Sequence, residues 1–251
     1  RAANKDILTS FLKGFEDHAS KSENPKYRER ISSMLHSNSS SIIVDYADLL
    51  EHDIDIANDL ISNPDEVLDP FNKATHDILA IEAQTYAEKI KDIIRVRIIG
   101  IPDIVPLRAI TSEHLNRFIA VTGMIVRASE LKPQALEAAF ICRRCNYIQK
   151  EIQKSNALTI PQRCESCNET KGFELNDKET TFIDYQIVRL QELPEELPPG
   201  QLPQSYDVDL TGDVVNTARP GDRVILTGVV RSEPEYASGT GKLRIFRTRI
   251  E

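Results

Sequence analysis

Residues 142–167 read CRRCNYIQKEIQKSNALTIPQRCESC and contain all four cysteines of the 251-residue chain. Two C-x2-C pairs are separated by 18 residues, a spacing typical of four-cysteine zinc ribbons. Each pair lies on a tight turn that brings two thiolates to one point, and two pairs complete a tetrahedron around Zn²⁺. The spacing therefore predicts a zinc site formed by Cys142, Cys145, Cys164 and Cys167.

The ligand set favours a structural metal over a catalytic one. A catalytic zinc keeps one position open for water and usually recruits histidine or carboxylate, whereas all five histidines precede the cysteines. Two disulfides are the alternative, which a reducing cell interior disfavours. A redox C-x-x-C pair needs one such motif, and this chain has two.

Composition limits the class of protein. With 40% hydrophobic residues, the chain can bury more than one core, so we expect two or three modules. No run reaches the length of a membrane span, and the N-terminal RAANKDILTS lacks the features of a signal peptide. We therefore expect a soluble intracellular protein without a membrane partner. The missing initial Met and the strand-like ending KLRIFRTRIE lead us to expect a piece of a longer protein.

The net charge of −8 is unevenly distributed. Residues 1–94 carry 10 Lys+Arg against 18 Asp+Glu, while residues 95–251 carry 21 of each. Binding of an anion responds to the local field rather than to the total charge. An anionic partner for the second region therefore stays compatible with the composition.

Segments rich in β-branched residues flank the cysteines and predict about six short strands. Turn signals such as Pro220-Gly221-Asp222 separate them, and Gly100 and Gly123 indicate kinks or bulges. This pattern favours a five-stranded OB-fold barrel, with a β-sandwich as the second choice. The segments are RVRIIGI (95–101), FIAVTGMIVRAS (118–129), TTFIDYQIVRLQE (180–192), YDVDLTGDVV (206–215), DRVILTGVVRS (222–232) and KLRIFRTRI (242–250).

The first 94 residues show helical spacing instead. Apolar residues recur every three or four positions in NKDILTSFLKGFEDHA (4–19) and NPKYRERISSMLHS (24–37). Asn63 and Pro64 are typical of a helix start, and Pro70 is expected to kink that helix or to mark its beginning. We expect about four helices that form a bundle with a scaffold or interaction role.

The predicted fold class is α+β with several domains. A helical bundle subdomain covers residues 1–94, and a zinc-ribbon insertion covers residues 140–172. The OB-fold is formed by residues 95–139 and 173–251, and its second part contains a β-hairpin.

The most specific signal lies in residues 191–230, which read QELPEELPPGQLPQSYDVDLTGDVVNTARPGDRVILTGVV. Together with VRIIGIP (96–102), FIAVTGMIVRAS and the four-cysteine ribbon, this segment resembles the N-terminal domain of the minichromosome maintenance (MCM) replicative helicases, most closely the compact archaeal type. The resemblance covers nearly the whole chain. It implies hexameric rings, in some cases double rings joined through the zinc lobes, that encircle DNA during replication initiation and unwinding.

The resemblance implies a DNA-binding and hexamer-assembly module that holds single-stranded DNA and also meets double-stranded DNA. A zinc-ribbon adaptor that acts through protein contacts alone is the alternative. The segment SGTGKLR (238–244) lacks a Walker A pattern, because Tyr236 and Leu243 replace the first Gly and the Ser/Thr. We therefore expect no enzyme activity here, with ATP and Mg²⁺ bound only by a C-terminal motor domain. An archaeal source implies the cytoplasm or nucleoid.

The hairpin is one predicted DNA contact. Residues 219–249 hold seven cations and three acids, and Arg231 is among the cations. Lys242 and Arg244 share one strand face with Phe246, close to a Gly/Ser tip. The resemblance implies that this hairpin projects into the ring channel, where both cations touch phosphates. The alternative is a solvated edge strand protected by basic residues.

The barrel surface is the second predicted DNA contact. The resemblance implies that Arg127 and Lys132 hold single-stranded DNA, and Lys178 and Arg189 are further matches. Residues 179–181 are Glu, Thr and Thr where the family pattern is basic. The chain has no Trp, so we expect electrostatic binding of the backbone without sequence preference.

A proline-rich loop follows at residues 192–205, with four prolines in ELPEELPPGQLPQS. Proline fixes φ and removes donors, which predicts a semi-rigid connector. The resemblance implies an inter-domain loop that relays state between the motor tier and the neighbouring subunit. Its predicted contact residues are Glu192, Glu195, Gly200 and Gln201, and a plain structured linker is the alternative.

Overall fold

The computed structural model describes residues 2–15, 25–153, 157–237 and 241–251, with side chains for 5–15, 25–153, 157–233 and 247–251. The chain divides into two compact units. Residues 1–130 and 186–251 form the first unit, and residues 131–185 form the second. The domain boundaries predicted above stay predictions.

Helices dominate the described residues of the N-terminal region. The α-helices are α1 (Ala2–Gly14), α2 (Lys26–Ser37), α3 (Tyr46–His52), α4 (Ile54–Ser62), α5 (Pro64–Glu82) and α6 (Gln84–Ile90). Helix α5 begins at Pro64 and continues through Pro70, so the predicted start at Pro64 is confirmed. The sequence predicted about four helices and missed α3 and α4. These two are too short for helical periodicity to identify them.

Aromatic residues occupy the centre of the helical core. Phe11, Tyr27 and Phe71 are fully buried, with ring centroids 4.7 Å apart for Phe11 and Tyr27 and 6.0 Å apart for Phe11 and Phe71. The Tyr27 hydroxyl donates to the Asp48 carboxylate over 2.6 Å. The apolar face predicted from the spacing in α1 and α2 is therefore the buried face.

Strands make up most of the remaining regular structure. They are β1 (Ser41–Asp45), β2 (Arg95–Ile99), β3 (Ile104–Val105), β4 (Phe118–Ala128), β5 (Lys132–Cys142), β6 (Ile148–Ile152), β7 (Phe173–Leu175), β8 (Thr181–Gln191), β9 (Ser205–Thr211), β10 (Arg223–Ala237) and β11 (Gly241–Ile250).

The strand predicted at residues 95–101 lies outside the barrel, which corrects the prediction that counted it among the barrel strands. Strand β2 pairs in parallel with β1, which the sequence analysis did not predict. Val96 and Ile98 are buried in the helical core, so β2 uses its apolar face to pack against helices.

Five strands close into a barrel within the first unit. Strand β4 pairs antiparallel with both β10 and β8, β10 pairs antiparallel with β11, and β11 pairs in parallel with β9. Because β9 also neighbours β8, the order β4-β8-β9-β11-β10 returns to β4. This is the arrangement of an OB-fold barrel, and the predicted fold class is confirmed. Val121, Val188, Leu190, Val230 and Ile250 are buried in its core.

Gly123 lies where β4 changes partners. Its neighbour Met124 pairs with Arg223 of β10 and with Gln191 of β8. A Cβ at Gly123 would lie 2.7 Å from the backbone oxygen of Gln191 and 2.9 Å from Cγ of Leu190. Glycine at this position therefore lets the backbones of β4 and β8 approach closely as the barrel closes.

A hydrogen-bonded cluster joins the helical region to the barrel. The Asp213 carboxylate accepts hydrogen bonds from the hydroxyls of Ser39, Ser40 and Ser41 at 2.7, 2.5 and 2.8 Å. It also accepts one from the backbone N–H of Ser40 at 3.0 Å. Burial opposes ionisation of Asp213, but these hydrogen bonds outweigh it and lower its pKa.

The second unit contains an antiparallel sheet built on β5. Strands β6, β7 and the first half of β8 each pair antiparallel with β5. Among the described residues, none of the helices combines the length and the apolar character needed to cross a membrane.

Candidate metal centre and nucleic-acid interface

The four cysteines lie on two turns with the same local structure. The backbone N–H of Asn146 donates to the oxygen of Cys142 at 2.8 Å, and that of Asn168 donates to the oxygen of Cys164 at 3.0 Å. Both asparagines adopt positive φ, 57° and 60°, a conformation that asparagine tolerates better than most residues. Each C-x2-C-N sequence therefore forms a knuckle that turns two thiols in one direction.

The sulfur geometry fits a single metal ion. All four Sγ atoms lie within 4.8 Å of one another, and the Sγ distances are 3.7 Å for Cys142–Cys167 and 3.6 Å for Cys145–Cys164. A tetrahedral ion with bonds of about 2.3 Å separates its sulfurs by roughly 3.8 Å, whereas a disulfide requires about 2.05 Å. The cysteines are free thiols in this arrangement and are able to hold a metal ion.

The pKa values of two of the thiols are shifted in opposite directions. The backbone N–H groups of Cys145 and Arg144 lower the pKa of the Cys142 thiol to about 7. For Cys167, the backbone N–H of Glu169 acts in the same direction, but desolvation and the three neighbouring thiols raise its pKa to about 12. Cysteine binds a metal ion as the thiolate, and four thiolates place four negative charges close together. A dication at the centre would offset the repulsion between them.

Gln149 is a supporting residue that the sequence analysis missed. Its side chain is buried, its Nε2 donates to the backbone oxygen of Arg163 at 3.1 Å, and its Oε1 accepts from the backbone N–H of Glu165 at 3.1 Å. Strand β6 is thereby tied to the second knuckle. A lone glutamine in a strand carries no sequence signal for such a role.

Two predicted DNA-binding arginines come together on the barrel. Arg127 of β4 and Arg189 of β8 are directly opposite each other in the antiparallel pairing. Both line an open pocket of about 210 Å³, together with Ser129, Ile187 and Asp207. The two arginines, both predicted to contact DNA from the barrel surface, therefore lie side by side at one pocket.

Asp207 is the acidic member of this pocket, which the sequence analysis did not identify. Its carboxylate accepts two hydrogen bonds from Arg189, at 2.9 Å from Nε and 3.1 Å from Nη2. The hydrogen bonding to Arg189 lowers the pKa of Asp207, and the positive charges of Arg249 and Arg247 contribute. Within the described residues, Arg127 has no carboxylate at ion-pair distance, so the pocket has one neutralised and one available cation.

Lys132 and Lys178 lie in the second unit. Lys132 is exposed at the start of β5, where it is paired with Tyr185 of β8. Lys178 is exposed in the turn before β8, and its backbone N–H donates to Oδ1 of Asn176 at 3.2 Å. Their predicted contact with DNA stays a prediction.

Arg231 is held by carboxylates. Its Nη2 lies 2.5 Å from Oδ1 of Asp65, and its Nε lies 3.2 Å from Oε2 of Glu251. The side chain is 29% exposed. These contacts connect β10 with the start of α5, and a DNA contact by Arg231 stays a prediction.

The hairpin predicted from the sequence is formed by β10 and β11, which pair antiparallel up to Ala237 and Gly241. Lys242 and Arg244 belong to β11, but their side chains lie outside the described residues, as do residues 238–240. Their predicted role at the tip stays a prediction.

The proline-rich loop is fastened to the barrel. Glu192 is 1% exposed and pairs with Arg108, and Gln201 accepts a hydrogen bond from the same arginine. Glu195 pairs with Arg223 of β10 at 2.5 Å. Gly200 has a φ of +78°, which a residue with a side chain rarely adopts.

Two family profiles match this chain. The profile described as MCM N-terminal domain matches residues 5–100, and the profile described as MCM OB domain matches residues 105–234. Together they cover the helical region, the inserted unit and most of the barrel.

Curated relatives include an archaeal protein and animal proteins. Minichromosome maintenance protein MCM of Saccharolobus solfataricus is 29% identical over 96% of this chain and 35% of its own length. DNA replication licensing factor mcm2 of Xenopus tropicalis is 31% identical over 99% of this chain and 28% of its own length. DNA replication licensing factor Mcm2 of Drosophila melanogaster is 33% identical, with coverage of 96% and 27%.

The helical region, the closed barrel and the four-cysteine unit define an OB-fold protein with an inserted unit whose cysteines could hold a metal ion. With both profiles matched, the chain belongs to the minichromosome maintenance (MCM) family, as its sequence predicted. It spans about a third of the length of these relatives, from 27% to 35%.

Proposed function

We propose that this chain is the DNA-binding and hexamer-assembly module of an MCM replicative helicase. Single-stranded DNA lies against the barrel, where basic side chains of the OB-fold and of the hairpin hold its phosphates. The observation that carries this proposal is the juxtaposition of Arg127 and Arg189 at one open pocket.

The electrostatics of this pair favour an anionic ligand. Side chains directly opposite each other in an antiparallel pair have Cβ atoms about 5 Å apart, so one phosphate can reach both guanidinium groups. Arg127 is the available cation, and a phosphodiester at the pocket accepts hydrogen bonds from Arg127 and competes with Asp207 for Arg189. Contact through phosphates carries no base information, so we expect binding without sequence preference.

We propose that the metal of the four-cysteine site is zinc and that its role is structural. A closed set of four thiolates at tetrahedral spacing is typical of structural zinc. When bound, the ion cross-links the two knuckles. The four sulfurs occupy every ligand position, so no position is left for water or substrate.

Removal of either pocket arginine is expected to weaken binding of oligo-dT. For single strands, log K falls with log salt concentration by about 0.7 per phosphate neutralised. Arg127→Ala and Arg189→Ala are therefore each expected to reduce the slope by about 0.7 and to lower low-salt affinity several-fold. Fluorescence anisotropy over a salt series measures both quantities.

Arg28→Ala is the matched control, because Arg28 is an exposed arginine on α2 with its side chain 61% exposed. If this control weakens binding as much as Arg127→Ala, only net charge matters and the barrel pocket is not the binding site. The double variant Lys242→Ala with Arg244→Ala tests the hairpin in the same titration. An unchanged slope would restrict DNA contact to the barrel.

Asp207→Asn is expected to increase the affinity for oligo-dT. The wild-type carboxylate holds Arg189 in a two-hydrogen-bond ion pair, and phosphate must compete with it. The amide is nearly the same size and removes the negative charge, so affinity is expected to rise about three- to tenfold at low salt. Asp177→Asn, at an exposed acid outside the pocket, serves as the control. Weaker binding by Asp207→Asn would show that Asp207 positions Arg189 rather than competing with DNA.

Family membership also supports several finer parts of the proposal. They are assembly into a homo-hexamer or double hexamer, contact with double-stranded DNA, a location inside the cell, and an ATP- and Mg²⁺-dependent motor elsewhere in the full-length protein. If the chain is instead a protein–protein adaptor that does not touch DNA, the anisotropy of labelled oligo-dT is expected to stay unchanged at low salt. Light scattering with and without oligo-dT measures the assembly.

A further inference from the structure

The pairing of β4 with β8 skips one residue directly before Arg127. Ile125 pairs with Leu190 and Arg127 pairs with Arg189, so Val126 is an extra residue in β4. Such a bulge re-aims the side chains that follow it. Without it, Arg127 would lie on the same face as the buried Ile125, because side chains alternate along a strand. The bulge therefore turns Arg127 outwards, where it is exposed opposite Arg189.

Side chains complete the hydrogen bonding of the strands beyond Arg127. The backbone N–H of Ser129 donates to the oxygen of Ile187 at 2.8 Å, and the backbone N–H of Ile187 donates to the Ser129 hydroxyl at 3.0 Å. The backbone oxygen of Ser129 accepts instead from Nε2 of Gln186 at 3.0 Å. Backbone polar groups need partners where a ladder ends, and here a glutamine side chain supplies one of them.

Gln186 occupies an inward position of the barrel. It is 3% exposed and belongs to the same row of β8 as Val188 and Leu190, which are fully buried. Its Nε2 also donates to Oδ1 of Asn216 at 3.1 Å, and its Oε1 accepts from the backbone N–H of Asn216 at 2.9 Å. Both donor positions and the acceptor of this amide are thus used, as a buried polar side chain requires.

The hydrogen bonds of Gln186 to Ser129 and Asn216, here called the Gln186 brace, connect three strands. Gln186 lies on β8, Ser129 directly follows β4, and Asn216 comes after β9. The same strands carry the charged residues of the pocket, which are Arg127, Arg189 and Asp207. The side chain of Arg189 is already held by its two hydrogen bonds to Asp207, so the brace matters most for the arginine on β4.

We propose that Gln186 is a positioning residue of this pocket, and that its brace holds the end of β4 so that Arg127 stays opposite Arg189. Gln186 acts through Arg127 and does not itself contact phosphate. The inference rests on the proposed binding of single-stranded DNA at the pocket. It adds the buried residue on which the geometry of the pocket depends.

Gln186→Met tests the brace, because methionine is similar in length and flexible enough to fill the space but has no amide. In the salt titration with oligo-dT, this variant is expected to lose up to about 0.7 of the slope and to bind about two- to fivefold more weakly at low salt. Combined with Arg127→Ala, it is expected to change affinity by less than about twofold relative to Arg127→Ala alone. An equal loss in both backgrounds would overturn the proposal, since Gln186 would then not act through Arg127.

Thr75→Val is the control for loss of stability alone. Thr75 is fully buried in α5, and its hydroxyl donates to the backbone oxygen of Phe71 at 2.9 Å. This variant also removes a buried hydrogen bond, and it is expected to lower stability towards urea while the slope stays unchanged. If Gln186→Met likewise lowers stability and leaves the slope unchanged, Gln186 has only a structural role and the proposal is wrong.

Nuclear magnetic resonance measures the placement of Arg127 without DNA. The Nε–H signal of Arg127, assigned by its loss in Arg127→Ala, is expected to shift or broaden in Gln186→Met and to stay in place in Thr75→Val. A signal that also stays in place in Gln186→Met would overturn the proposal. Failure of the wild type to bind oligo-dT would instead contradict the proposed function, and this signal would still decide whether Gln186 positions Arg127.

Asn216→Gly takes the place of Gln186→Met in these measurements if the methionine variant does not fold. Asn216 has a φ of 57°, which glycine adopts readily, so the backbone N–H that donates to Gln186 is kept. Only the Oδ1 acceptor of the brace is lost, and we expect a smaller loss of slope in the same direction. An unchanged slope together with an unmoved Arg127 signal would then overturn the proposal.

Discussion

Chelation of the metal is expected to unfold residues 131–185 while the helical region stays folded. Apart from the sulfurs, polar contacts such as the Arg144–Glu169 ion pair at 3.2 Å join the two knuckles, and neither hydrophobic core of the described residues includes a residue of 131–185. Metal binding in small cysteine sites contributes on the order of 10 kcal/mol of folding free energy, more than a unit of this size otherwise has available. Trypsin digestion after treatment with a strong chelator is expected to cut within 131–185 and to leave residues 25–100 protected.

Single substitutions separate loss of metal from side effects of the chelator. Cys164→Ser removes a fully buried ligand and is expected to abolish stoichiometric zinc and to expose the same cleavage sites. Ser166→Ala changes the same knuckle without touching a sulfur and is expected to behave as wild type. Native protein that contains no zinc by elemental analysis, or that has its cysteines in disulfides, would contradict the site.

Gly123→Val is expected to destabilise the barrel by about 3 kcal/mol or more, because the new side chain must enter a close contact between β4 and β8. A Cβ at this position would already be 2.7 Å from a backbone oxygen of Gln191. Backbone atoms held in two strand pairings cannot move aside as a flexible side chain does. Urea unfolding followed by circular dichroism measures the change in the free energy of unfolding.

Gly123→Ala and Gly14→Ala calibrate this result. Gly123→Ala places only the Cβ in the contact and is expected to cost about 1–3 kcal/mol. A Cβ at Gly14, in helix α1, would meet no atom within 4 Å, so its substitution is expected to change stability by less than about 0.5 kcal/mol. If Gly123→Val leaves stability within that range, close approach of the strands does not limit barrel closure.

Local sequence patterns predicted the parts of the fold that local chemistry determines. The four-cysteine cluster follows from ligand spacing, and the barrel strands follow from β-branched runs separated by turns. The pairing of β2 with β1 was missed, because β1 is only five residues long and its partner lies about fifty residues away. Such a contact depends on how the helices pack rather than on the composition of either strand.

The candidate sites also combine residues that local patterns identify with partners that are distant in sequence. Family resemblance selected Arg127 and Arg189 by position, but the neutralising partner Asp207 belongs to another strand of the barrel. Arg108 carried no signal either, since its ion-pair partner Glu192 lies 84 positions later in the chain. Both pairings join segments that are distant in sequence, so no local motif predicts them.

The barrel ladder between β4 and β8 has a consequence for biosynthesis. Ala128 pairs with Val188, so the whole segment 131–185 is translated between the two partners. Closing so long a loop is entropically costly and slows folding, whereas a segment that first collapses on a metal ion brings its ends closer together. We therefore expect metal supply during translation to affect how quickly the first two barrel strands pair, as well as the folding of the four-cysteine unit.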